Sequence, residues 1–312
     1  MKIGIAKGLS TYEFPILYKK FFEFLNIDVV ESSETNNKII EDGINNSIDE
    51  SCLASKIYIG HIKELLNRQE KEKIDYIFVP RTMFLKNKET VCTKFYAMSD
   101  IVHNTFDIDV LTLNIDYEKG ENEFLAYIRL GKRLGKNFKS IVIAYFKAKK
   151  LQDEYCMKKL NLQKEKLLLS DKINILIVSH PYIVYDKYMG KPVCSELERL
   201  GANIFYADVN SSNNKFGYKK ISKTLYWKSS INLLNGVDEY LSQIDGIVYL
   251  SVFPCGLDSL VNESAIRKVK SVASINLIID EQDAFVGIQT RLESFMDILI
   301  QNKELKKVSN YD

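Results

Sequence analysis

Short apolar runs that alternate with amphipathic stretches, twice along the chain, constrain this sequence more than any other feature. The first series opens with an apolar run at residues 3–6 and a turn at Gly8. The segment "YEFPILYKKFFEFLNI" then sets Phe14, Leu17, Tyr18, Phe21, Phe22 and Leu25 at helical spacing, with Pro15 expected in the first turn. "DVVES" reads as a strand, and "TNNKIIEDGINNSIDESCLASKIYIGHIKELLNR" as a helix broken near residues 45–47. "DYIFVP" is a strand that Pro80 ends, and "DVLTLNID" is another strand after the helix expected in "CTKFYAMSDIVHNTF". Strands that alternate with helices make a parallel sheet covered on both faces.

From Glu121 to about Leu169 the pattern stays helical, with clustered lysines and no strand signal. A second alternation then runs through "INILIVSHPYIV", "PVCSELERLGA", "NIFYAD", helices near residues 219–243, "DGIVYLSVF", a helix from about Asp258, "ASINLIID" and "VGIQTRLESFMDILIQN". The expected fold class is α/β, with two Rossmann-like, doubly wound lobes whose sheets are mainly parallel. The expected divisions are an N-terminal lobe over residues 1–120, a helical connector over 121–172 and a C-terminal lobe over 173–312. The 312 residues suffice for two such cores, and 46% hydrophobic residues with only 5 prolines and 14 glycines fit an ordered chain.

The net charge of +2 gives the whole molecule no electrostatic case for nucleic acid or an acidic membrane surface, although it leaves local patches open. The apolar run in "MKIGIAKGLS" is too short for a signal-peptide core, and no stretch reaches the length of a membrane span, so the expected location is cytoplasmic. No phosphate-binding G-x-x-x-x-G-K-[ST], no dinucleotide G-x-G-x-x-G and no G-x-S-x-G elbow occurs, so nucleotide hydrolysis by this chain is not expected.

The five cysteines, Cys52, Cys92, Cys156, Cys194 and Cys255, have no compact disulfide spacing and no C-x-x-C pair. Cys52 precedes a helix, Cys92 follows Pro80 and Arg81 ahead of another, and Cys255 lies in "YLSVFPCGLDSL", where an apolar strand turns into a helix. Ligands of open parallel sheets gather at the carboxyl ends of strands, and a helix N-terminus favours a thiolate. Three convergent thiolates suit a soft metal or an iron–sulfur cluster. The plain alternative for Cys255 is a buried thiol at a tight turn, with Asp258 or Ser259 as the helix cap. Cys194 and Cys156 read as structural. None of the histidines, His61, His103 and His180, has a local partner that signals catalysis; His180 is best placed for a site, and His61 reads as a satisfied core residue. Asp280, Glu281 and Asp283 either line the same cleft or cap a helix.

In order along the chain, "KIGIAKGL", "YEFPILYKKFFEFLNIDVVES", "DESCLASKIYIGHIKELL", "DYIFVPR", "CTKFYAMSDIV", "LGKRLGK", "HPYIVYD", "LYW", "GIVYLSVFPCGLDSLV" and "IQTRLESFMDIL" resemble the activase-associated branch of the 2-hydroxyacyl-CoA dehydratase family. That branch is related to the D-component of 2-hydroxyglutaryl-CoA dehydratase and to double-cubane cluster proteins. The resemblance implies a 4Fe–4S cluster held by facing loops of the two lobes through Cys52, Cys92 and Cys255. It implies reduction by a separate ATP-dependent activase, electron delivery to a small-molecule or acyl-CoA substrate, and association in pairs as a homodimer. Many relatives carry "FGCGPDS" where this chain has "FPCGLDS", and "DEHTGEAG" where it has "DEQDAFVG", so Gln282 replaces a histidine. Five cysteines cannot supply six thiolates to a double cubane, so a single cluster with an open or exogenous fourth ligand fits the count. Two other readings stand beside it: a bilobal small-molecule-binding or scaffold protein without redox turnover, and a structural zinc site with a fourth protein ligand.

Overall fold

The computed structural model describes residues 1–85, 89–168, 172–211, 216–281 and 285–309. The chain divides into two compact units, residues 1–157 with 226–228 and residues 158–225 with 229–312. In the first unit the order is β1 (Lys2–Ile5), α1 (Ser10–Glu13), α2 (Leu17–Phe24), β2 (Asp28–Glu31), α3 (Asn37–Asn45), α4 (Leu53–Glu72), β3 (Tyr76–Thr82), α5 (Thr93–Phe106), β4 (Val110–Ile115), α6 (Glu123–Arg133) and α7 (Phe138–Leu168). The division falls inside α7, after Met157. The second unit continues with β5 (Asn174–Val178), α8 (Pro181–Val184), α9 (Gly190–Arg199), β6 (Asn203–Tyr206), α10 (Lys228–Tyr240), β7 (Gly246–Val252), α11 (Gly256–Lys268), β8 (Ala273–Ile279) and α12 (Phe285–Ser309).

Both sheets are four-stranded and parallel, with orders β2-β1-β3-β4 and β6-β5-β7-β8. The two orders are the same order repeated, so the α/β fold of two Rossmann-like lobes is observed. In each sheet the direction of winding reverses between the first and third strands. In the second sheet Ile177 of β5 pairs with Tyr206 of β6 on one side and Val248 of β7 on the other. Every residue of β7, "GIVYLSV", is buried, as a central strand covered on both faces requires.

The first core joins Ile3, Phe21, Phe22, Phe78, Leu111 and Tyr127, so helix α6 covers the sheet beside α2. Ile141, Ala144, Tyr145 and Ala148 of α7 are part of the same cluster. The helical stretch after residue 120 therefore supplies core to the first unit. Helix α2 starts at Leu17, which leaves Pro15 in the turn after α1 rather than in the first turn of the long helix. Helices α3 and α4 are separated by residues 46–52, a wider break than the periodicity implies.

Candidate functional site

In parallel β-α-β units each helix starts beyond the carboxyl end of one strand and returns to the start of the next. Helix α4 leads into β3 and α5 into β4, so both N-termini stand on the carboxyl edge of the first sheet. By the same rule the N-terminus of α11, which leads into β8, stands on the carboxyl edge of the second sheet. The residues at these three N-caps are Cys52, Cys92 and Cys255. Cys92 and Cys255 occupy matching places, each capping the helix that follows the third strand of its sheet. Cys52 has no such counterpart, since Tyr226 and Trp227 stand ahead of α10.

Cys52 is 8% exposed. Its carbonyl accepts from the Ser55 and Lys56 N–H groups at 2.9 and 3.0 Å, and its Sγ lies 3.2 Å from Ser55 Oγ. The half-buried Cys92 starts α5 in the same way, its carbonyl accepting from the Phe95 and Tyr96 N–H groups at 3.0 and 3.1 Å. Lys94 Nζ donates to the Glu50 carbonyl at 2.7 Å and so ties the first turn of α5 to the loop that delivers Cys52. Arg81, near the end of β3, bonds Asp100 at 2.7 Å and lies over the Tyr96 ring at 4.5 Å, fixing α5 against the strand. The segment Tyr226–Lys228 belongs to this unit although its chain neighbours do not. It pairs with the residue two places before Cys92, through Thr90 N–H to the Tyr226 carbonyl and Lys228 N–H to the Thr90 carbonyl, each 2.9 Å.

At the other edge, β7 passes through a cis Phe253–Pro254 peptide to Cys255, whose N–H donates to the Val252 carbonyl at 2.9 Å. Cys255 Sγ accepts from the Asp258 N–H at 3.5 Å. The thiol itself is therefore the cap, and neither Asp258 nor Ser259 fills that role. Ser259 Oγ bonds back to the Cys255 carbonyl at 2.8 Å. Asp258 Oδ1 is held by His180 Nε2 at 2.7 Å, and both side chains are buried. The His180 ring stacks on Tyr182 with centroids 5.1 Å apart and planes 10° apart. His180 follows β5 and Cys255 follows β7, which puts this pair at the winding reversal of the second sheet, where doubly wound folds take ligands. Asp258 Oδ2 is buried without a hydrogen-bond partner among the described residues, an acceptor suited to a bound polar group.

A second polar cluster lies past the end of β6. Tyr185 OH donates to Asp208 at 3.0 Å and accepts from Lys159 Nζ at 2.8 Å. Burial pushes the Asp208 carboxyl up, opposed by Lys159, by the Tyr185 hydrogen bond and, more weakly, by His180. Neither this cluster nor the His180–Asp258 bond is visible to local sequence patterns. A histidine at the end of one strand and an acid three residues past a strand-end cysteine were the only available cues.

The remaining candidates fall elsewhere. Cys156 is exposed on α7, and Cys194 is buried inside α9, where burial pushes its thiol up to about 12 against a hydrogen bond to Tyr206. His61 is fully buried between Ser32 Oγ at 2.9 Å and Thr35 Oγ1 at 3.0 Å, the satisfied core residue that its helix face implied. His103 Nδ1 lies 2.7 Å from the Ile108 carbonyl in the last turn of α5. Asp280 Oδ1 accepts from the Glu281 N–H at 2.6 Å, while Gln282 and Asp283 lie outside the described residues. Among the described residues no three or more His, Cys, Asp or Glu side chains gather as a metal-binding group, and no helix is long and apolar enough to cross a membrane.

A family model described as "CoA enzyme activase uncharacterised domain" matches residues 2–209. No curated protein matches the chain. Among solved structures, a zinc-bound mutant variant of AdcAII from Streptococcus pneumoniae is 13% identical, covering 96% of this chain and 98% of its own, with a TM-score of 0.30. A mutant of the laminin-binding adhesin Lmb from Streptococcus agalactiae is 10% identical, covering 95% and 98%, with a TM-score of 0.28. Likenesses that low carry no argument about this chain.

Proposed function

Since the chain belongs to the family of the CoA enzyme activase uncharacterised domain, we propose that it is an iron–sulfur redox component served by a separate ATP-hydrolysing activase, with Cys52, Cys92 and Cys255 as thiolate ligands of one 4Fe–4S cluster. One observation carries this reading. Of the five cysteines these three, and neither Cys156 nor Cys194, cap helices on the carboxyl edges of the sheets. Sulfur is the donor that such clusters take, and helix N-termini bring backbone N–H groups to that sulfur, so the residues present suit the group. When bound, the cluster supplies low-potential one-electron transfer to a small-molecule or acyl-CoA acceptor.

The chain's own part is positional. Ser55 and the Asp258 N–H meet the sulfurs of Cys52 and Cys255. Lys94 holds the loops of Cys52 and Cys92 to each other. His180 fixes the Asp258 carboxylate, and so the first turn of α11 from which Cys255 projects. A zinc site would draw on a fourth protein ligand, which the N-cap set does not offer.

The test is anaerobic mixing of the iron-loaded protein with an ATP-hydrolysing activase of this system, followed by visible absorbance. Bleaching of the cluster band that needs ATP and is lost in Cys255→Ser supports the reading. A loaded protein that bleaches with titanium(III) citrate but never with activase and ATP would overturn it.

A further inference from the structure

Helix α7 has two apolar faces where a surface helix needs one. Ile141, Ala144, Tyr145 and Ala148 enter the core of the first unit. On the opposite side Ile143 and Phe146 are 49% and 59% exposed, and Phe138, the first residue of the helix, is 59% exposed at the edge of the core face. At 100° per residue Ile143 and Phe146 share a face with Lys139, Lys147 and Lys150, all exposed, so that apolar and cationic side chains interleave. The charge around them is one-sided. Residues 124–152 contain eight lysines and arginines and no acidic residue, in a chain whose net charge is only +2. Some of these cations are engaged within the unit: Arg129 pairs with Glu121, Lys149 with Glu123 at 3.1 Å, and Lys150 with Glu154 at 3.8 Å, while Lys147 lies over the Phe24 ring. Lys132, Arg133, Lys136 and Lys139, at the turn from α6 into α7, form no ion pair among the described residues.

We propose that this face of α6 and α7 is a docking surface for an acidic protein partner, one that presents an amphipathic helix with carboxylates beside apolar side chains. Aromatic residues are enriched in protein interfaces, and a one-sided field selects a partner of opposite sign and speeds encounter with it. A nucleic acid would meet two large apolar side chains with nothing to cover them. A lipid surface calls for one continuous apolar stripe, whereas here lysines separate the apolar residues and the main apolar stripe of α7 already faces the core. The inference does not depend on a cluster.

Fluorescence titration of the full chain tests it with four probes: an amphipathic helical peptide bearing glutamate, leucine and phenylalanine; a peptide of equal charge with serine for the apolar residues; vesicles of phosphatidylserine and phosphatidylcholine; and duplex DNA. The amphipathic acidic peptide is expected to bind most tightly. Combining Lys132→Glu, Arg133→Glu, Lys136→Glu and Lys139→Glu should weaken it roughly tenfold or more. Ile143→Ser with Phe146→Ser should remove the preference over the serine peptide, a change of roughly tenfold. The single Ile143→Ser, which leaves the charge alone, should weaken the same preference and serves if the double variant unfolds. The proposal fails if the amphipathic peptide does not bind, if vesicles or duplex bind as tightly as it does, or if a folded variant binds like the wild type.

Discussion

His61 shows how far a single side chain can be read from its surroundings. Burial, with Lys7 adding to it, lowers its pKa from 6.5 to about 3, so the ring stays neutral in the folded protein. Between those two values the unfolded chain binds more protons than the native one, and stability therefore rises with pH across that window. The contribution is complete above the unfolded value and is lost as pH falls toward the folded one, roughly 2 kcal/mol of it by pH 5. Urea midpoints measured from pH 7 to pH 4 should fall less steeply in His61→Gln than in wild type; equal slopes would show that another group governs the acid limb. At the second sheet's edge, Asp258→Ala leaves His180 buried without its carboxylate and should cost about 1–3 kcal/mol in chemical denaturation. The same variant should load less iron than wild type if His180 and Asp258 aim Cys255. Wild-type loading in a destabilised Asp258→Ala would confine the pair to a structural role.

At the scale of elements, the site depends on how closely α3 and α4 cross. A Cβ on Gly60 would collide with the Ile39 carbonyl, and one on Gly43 with that of Lys56, so the two backbones meet directly. Gly60→Ala should destabilise the protein by about 1–3 kcal/mol through overpacking. It should also lower iron loading, because Cys52 rides on the N-terminus of α4; a thermal midpoint equal to wild type would contradict the close crossing. The strands and most helices were legible because apolar periodicity is a local property, and β7 and α11 fall where "GIVYLSVFPCGLDSLV" implies. The misplaced Pro15 was not legible. Its fixed φ suits a first helical turn and the end of a preceding turn alike, and packing of Leu17 and Tyr18 against the core decided between them. The capping positions of Cys52, Cys92 and Cys255 were legible as strand-to-helix or loop-to-helix junctions. The His180–Asp258 bond spans 78 residues and could be found only through the fold.

Over the whole molecule, one order of strands occurs twice, and each copy carries a cysteine at the cap of the helix after its third strand. Cys52 adds a further thiol to the first unit alone. That repetition explains why two of the three candidate ligands sit in matching surroundings although the sequence shows no short-period repeat. It also explains why composition was silent about function: balanced charge and ordinary hydrophobicity describe the two sheets and their covers, while the candidate chemistry rests on a few junction residues. In the proposed function Cys52, Cys92 and Cys255 together hold one cluster. Its most direct measurement is iron and acid-labile sulfide per chain after anaerobic reconstitution, in wild type and in single serine variants of all five cysteines. About four of each are expected per wild-type chain, retained in Cys156→Ser and Cys194→Ser and largely lost in Cys52→Ser, Cys92→Ser and Cys255→Ser. Loading that survives all three of those substitutions, or that is lost equally in all five, would contradict it.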